Sequence, residues 1–198
     1  MVELIHRAYT QRLISSSQGT FSKRMDGNNF IITPVYLDRK YLQVEDLVRI
    51  ENGKCEIGKS PSRSMRLHQK IYEKCSDINS IIIAHPPSMM VFAVTEVPFD
   101  SRTIPESYIL LRTIKKMPFG SNFLDIDGTA DQLSAKTPIV MMANDCFIVT
   151  GNTLLSAFDR LEVAEYTAKA IISARSLGEI VSINEHQISE LEKAFHLA

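Results

Sequence analysis

No run of apolar residues in this sequence approaches the length that spans a bilayer, and its first residues, MVELIHRAYTQR, carry charges where a secretory leader needs an unbroken apolar stretch. These absences predict a cytoplasmic chain with no membrane partner. Cysteine is scarce: Cys55, Cys75 and Cys146 are odd in number and widely spaced, which suits neither a disulfide framework nor a CxxC metal site. A reducing compartment fits that usage. Charge of one sign is also missing, with 22 basic residues against 23 acidic and a net charge of -1, so the electrostatic footprint of a nucleic-acid binder is absent. The sequence has no Walker-type phosphate loop, no GxGxxG, no GxSxG elbow and no HExxH, and the reaction classes those motifs serve lose most of their support. What is present is a chain of 198 residues, 44% of them hydrophobic, which predicts one domain over residues 1–198 with a proper core.

Apolar spacing marks a first helix through Leu4, Ile5, Ala8 and Leu13, ending in the serines 15–17. Residues 20–24 and 29–33 flank a polar turn at 26–29, and residues 47–50 and 54–57 flank Asn52-Gly53, so two hairpins are predicted. Hairpins argue against an all-parallel sheet. Ser62 is placed to cap a helix through Leu67, His68 and Ile71, and Ile81-Ile82-Ile83 reads as a strand buried on both faces. That strand ends at His85, and Pro86 and Pro87 suit the first turn of the next helix because that turn needs no amide donors. Further helices are expected from Pro105 through Ile114, from Asp125 through Leu133, from Thr153 to Gly178 and from Asn184 onward. Two apolar strands, 139–143 and 147–150, are interrupted by the polar corner Asn144-Asp145-Cys146.

The candidate site residues are polar side chains at element junctions. His85 sits at a strand-to-helix junction, where α/β proteins often place chemistry, although a single histidine there is more often a structural hydrogen-bonding residue. Asp145 reads either as a turn residue or as a carboxylate aimed at a pocket, and Cys146 as a small buried hydrophobe. Ser62-Arg63-Ser64 at a helix start suits either capping or an anion. The remaining histidines, His6, His68, His186 and His196, read as residues of helix surfaces, and no pairing has metal-ligand spacing.

The order of segments resembles the class II aldolase/adducin family over nearly the whole chain. The resemblance runs through SSSQGTFSKR, NNFIITP, LQVEDLV, GKSPSRSMRLH, INSIIIAHPPSMMVFA, RTIPESY, PIVMMANDCFIVTG and TLLSAFDRLEVAEYTAKA. It implies a three-layer α/β/α sandwich around a mostly antiparallel central sheet, which agrees with the two hairpins. It also implies an active site of L-fuculose-phosphate aldolase type, in which three histidines hold zinc, a glutamate handles the proton and loops grip a phosphate.

Against that pattern the sequence departs at several points. The HxH before the double proline reads Ile83-Ala84-His85, and the Asn-His-Gly of the later corner reads Asn144-Asp145-Cys146. Where a glutamate precedes the Arg-x-His helix, Pro61-Ser62-Arg63-Ser64 offers Ser64. Gly19-Thr20 keeps one glycine of the first phosphate loop, and Val35-Tyr36 replaces the second phosphate-binding pair with bulk. The resemblance therefore implies a protein that has lost zinc chemistry and needs no cofactor, and serves as a binding or oligomerising subunit. Such a chain is expected to form a homo-oligomer, a tetramer by the family pattern, or to pair with a second aldolase-like unit. Its expected phosphate contacts are Gly19, Ser62, Arg63 and Ser64. The rival reading is an active lyase or isomerase on a small sugar phosphate, with His85, Asp145 and Glu106 as acid/base groups, or with His85 and Asp145 on zinc or another divalent metal.

Overall fold

The computed structural model describes residues 1–197. Helix α1 (Val2–Thr10) buries Ile5 and Ala8. It stops short of the expected serine run because Arg12 takes a φ of 61° and the amide of Leu13 closes back on Ala8 O at 2.9 Å, a helix-terminating turn that usually places glycine at that position. Strands β1 (Thr20–Arg24) and β2 (Phe30–Ile32) form the first predicted hairpin, with Arg24 opposite Phe30. Strands β3 (Val48–Glu51) and β4 (Lys54–Cys55) form the second, turned by Asn52 and Gly53 at φ 50° and 74°, the paired positive angles of a tight two-residue loop. Strand β4 is two residues shorter than its apolar spacing suggested.

Helix α2 (Met65–Lys74) starts after Ser64, so Ser62 is not its cap. It leads into β5 (Ser80–Ala84) and α3 (Pro87–Ala93), with Pro87 in the first turn as expected. The helix opened by Pro105 is α4 (Pro105–Leu111), which ends before Ile114 because Arg112 takes φ 55° and leaves the helical conformation. The turn feeds β6 (Lys115–Met117), a strand that periodicity missed because two of its three residues are lysines. Lysines suit an edge strand, where they discourage pairing with other chains.

Helices α5 (Ser121–Leu124) and α6 (Ile126–Asp131) follow, the second capped by Asp125, which accepts from the amide of Gly128 at 3.0 Å. Strands β7 (Ile139–Met142) and β8 (Phe147–Gly151) flank the polar corner. Helix α7 (Leu154–Ala174) carries the expected Thr153 cap, and α8 (Glu185–Ala194) carries the Asn184–Gln187 capping box.

All eight strands join in the order β4-β3-β2-β1-β5-β8-β7-β6, and only β6 and β7 run parallel. Alternation along β5 separates the two faces: Ile82 and Ala84 pack with α1, α3, α4 and α7, whereas Ile81 and Ile83 pack with α2 and α6. The fold is thus the three-layer α/β/α sandwich with a mostly antiparallel sheet that the sequence implied. It brings the His85 end of β5 beside the Cys146 end of β8, because Ala84 pairs with Phe147.

Candidate functional site

His85 is held from two directions. Its amide donates to Leu13 O at 3.0 Å, which ties it to the turn after α1. Behind it, Pro86 and Pro87 have no amide hydrogens, and the next two amides, of Ser88 and Met89, donate to the carboxylate of Glu165 at 2.9 and 3.1 Å. Glu165 is 8% exposed and reaches from α7, so a buried carboxylate caps α3 and fixes the turn that carries His85. The imidazole Nδ1 is sealed from solvent without a partner. Burial pushes the His85 pKa below its ordinary value and the Asp145 charge only partly restores it, so the ring is neutral near pH 7.

Asp145 stands across the cleft at the β7–β8 corner, where Asn144 takes φ 56° and donates its amide to Ala93 O at 3.1 Å. Its Oδ2 accepts from Asn122 Nδ2 of α5 at 2.8 Å. Cys146 is buried as expected, and burial together with the Asp145 charge pushes its thiol pKa up, away from the thiolate that reacts or ligates.

The opposite wall is built of hydroxyls. Thr20 Oγ1 and Ser62 Oγ lie 2.7 Å apart, Ser62 Oγ and Ser64 Oγ 3.0 Å, and Ser64 Oγ donates to Thr20 Oγ1 at 3.2 Å. Arg63 and Arg66 stand exposed on the rim. Gly19 closes this wall at φ 95°, and a Cβ there would collide with Ile14. Its carbonyl accepts from Arg39 Nε at 3.1 Å, while the same guanidinium donates to Leu37 O at 2.8 Å and to Pro34 O at 2.9 Å. Arg39, 2% exposed, thereby locks the loop before β1 to the loop after β2.

These residues enclose an open cleft of about 540 Å³ that holds Gly19, Ser62, Arg63, Ser64, His85 and Asp145 together. Glu106 is not on its wall; it is exposed in the first turn of α4. Tyr36 is also elsewhere, 80% exposed, and does not fill the space, whereas Ile83 does line it. The sequence reading missed Asn122, Arg39 and Glu165. Glu165 left a signal, an acid on the apolar stripe of Leu161, Ala164 and Ala168, but Asn122 lies on a four-residue helix with no periodicity to reveal it. His68 is a correction as well: it is fully buried, with Nδ1 2.6 Å from Ser22 Oγ, and Ser22 Oγ lies 2.7 Å from Tyr72 OH.

The implied zinc does not fit these side chains. A catalytic zinc takes three protein ligands, and no group of three or more His, Cys, Asp or Glu converges among the described residues. Ile83 offers no donor and Ser64 no carboxylate, and Cys146 on the same wall does not converge with His85 and Asp145 into a three-ligand group. Nor is any helix among the described residues long and apolar enough to cross a membrane.

The α/β/α sandwich with its mostly antiparallel sheet is similar in fold to solved sugar-phosphate aldolase structures. In fold the chain is similar to YgbL from Escherichia coli, with a TM-score of 0.86 at 20% identity over 96% of this chain and 95% of that one. The model of the Class II Aldolase and Adducin N-terminal domain matches residues 1–172, and the chain belongs to that family. Among its relatives is an L-fuculose phosphate aldolase of Methanococcus maripaludis (strain C7), 26% identical over 172 residues, which cover 85% of this chain and 92% of the relative. Another is a 3-oxo-tetronate 4-phosphate decarboxylase of Haemophilus influenzae, 24% identical over 198 residues, covering 97% of this chain and 94% of the relative.

Proposed function

We propose that this chain binds a small phosphorylated metabolite in the His85 cleft without zinc, and acts as a binding or oligomerising subunit that has lost the metal-dependent lyase chemistry. The observation that carries this reading is the donor set. His85, Asp145 and Cys146 line the wall, but no three such donors among the described residues converge as a working zinc centre needs. The remaining polar groups suit a phosphate instead: three hydroxyls in mutual contact, the Gly19 loop and the guanidiniums of Arg63 and Arg66 on one rim.

Phe123 lines this cleft and packs edge-on against Phe119 at 6.1 Å, and both rings and Leu124 are exposed beside it. Such an apolar patch suits a subunit contact, either between copies of this chain, a tetramer by the family pattern, or with a second aldolase-like unit. The three free cysteines suit a cytoplasmic setting.

Calorimetric titration with phosphorylated sugars of three to six carbons tests the binding role. Saturable binding that weakens about tenfold in Arg63→Ala supports it, since loss of one charge-assisted contact costs about 1.4 kcal/mol. Absence of binding across the series contradicts it.

A second reading rests on His85 itself, a neutral imidazole lining a cleft shared with the Asp145 carboxylate. That arrangement suits acid/base catalysis on a sugar phosphate, as a lyase or isomerase. Turnover of a phosphorylated ketose that disappears in His85→Ala would replace the first reading by this one.

A further inference from the structure

The two ends of the His85 cleft carry opposite charge. Strand β5 lies between β1 and β8, with Thr20 of β1 opposite Ile83 and Ile83 opposite Ile148 of β8. Neighbouring strands stand about 4.8 Å apart, so the β1 row lies about 10 Å from the β8 row, and His85 continues the strand between them. The hydroxyls of Thr20, Ser62 and Ser64, with Arg63 and Arg66 on the rim, occupy the β1 end. Asp145, just before β8, occupies the other end and is the one carboxylate on the cleft wall.

No cation beside Asp145 on that wall offsets its charge. Its Oδ2 accepts from the neutral amide of Asn122 at 2.8 Å, while Oδ1 takes no N–H or O–H from the described residues and is not sealed from solvent. His85 is neutral near pH 7 because burial lowers its pKa. Arg12 lines a separate hollow that meets the cleft only at Gln18 and His85. Asp145 is half-buried, and a carboxylate partly withdrawn from water is stabilised by a cation on its open oxygen. Between the charged ends the wall is apolar, with Leu67, Ile83 and Ile126, and suits a carbon chain.

We infer that the ligand of this cleft is a phosphorylated amine, with its phosphate on the hydroxyl wall and its ammonium on Asp145 Oδ1. The inference rests on the phosphate reading given above and adds the other end of the ligand. Asp145 is then the residue that sets specificity: an ammonium brings it charge and three donors, a hydroxyl brings one donor, and a second anion is repelled.

Calorimetric titration at low ionic strength with aminoalkyl phosphates of three to six carbons, against hydroxyalkyl and carboxyalkyl phosphates of the same lengths, tests it. The best amine is expected to bind about fivefold or more tightly than the alcohol of its length, and the acid most weakly. Asp145→Asn should erase the advantage of the amine and strengthen binding of the acid, a gain that a damaged fold would not produce. Equal affinity of amine and alcohol in the wild type, an advantage that survives Asp145→Asn, or a preference for the acid would overturn the inference and leave the phosphate reading intact. Failure of all three series to bind also overturns it, and failure of the sugar phosphates as well overturns the phosphate reading.

Discussion

The carboxylate of Glu165 receives the amide of Ser88 at 2.9 Å, so one residue of the long helix α7 sets the turn from which His85 projects. Two prolines have already removed the preceding amides, and among the described residues Met89 supplies the only other donor to that carboxylate, at 3.1 Å. The cap therefore concentrates on a single side chain. Glu165→Ala leaves buried amides unmet and is expected to cost about 2–3 kcal/mol of stability, read by urea denaturation. An unchanged midpoint would show that the turn is held by other contacts.

Gly19 is bound by both backbone and space. At φ 95° an L side chain is strained, and the added methyl meets the side chain of buried Ile14. Gly19→Ala is expected to cost about 2 kcal/mol or more and to loosen the wall that Arg39 ties together. Thermal unfolding checks the first part, and ligand titration the second.

Stability should fall in mild acid. Full burial pushes the His68 pKa from 6.5 down to about 3, while the unfolded chain takes up a proton near the ordinary value. Between pH 6.5 and 3 the unfolded state thus binds more protons, and folding weakens as the pH falls through that window. At pH 5 the loss from this residue is about 2 kcal/mol relative to pH 7. Denaturation of wild type and His68→Gln at the two pH values checks it: the variant should lose most of the slope, whatever its absolute stability.

Most of the architecture was legible because buried strands and capped helices leave local signatures. Ile81-Ile82-Ile83, Asn52-Gly53, Thr153 and Asn184 each announce an element by short-range chemistry. The features that escaped are made by tertiary contact. Lys115–Met117 becomes a strand only because β7 lies alongside, and His68 reads as a surface residue until the hydroxyl of Ser22 is brought to it. Site residues divided in the same way: His85, Asp145 and the 62–64 hydroxyls were found at junctions, whereas Asn122 and Arg39 act through partners distant in sequence. Glu106 looked similar to them in sequence, but α4 carries it outside the cleft.

Restoring ligands should restore metal. Ile83 lines the cleft two residues before His85, and Asp145 stands where the family places an imidazole, so Ile83→His with Asp145→His supplies three histidines. That double variant is expected to retain about one zinc per chain through desalting. Failure to retain it would mean that the walls have moved too far for a zinc centre to be rebuilt.

Elemental analysis of the untagged wild-type protein, after incubation with zinc and other divalent metals and then desalting, tests the central claim most directly. Zinc far below one per chain, in a protein that remains folded, is the expected result. Near-stoichiometric metal that disappears in both His85→Ala and Asp145→Ala would contradict the account.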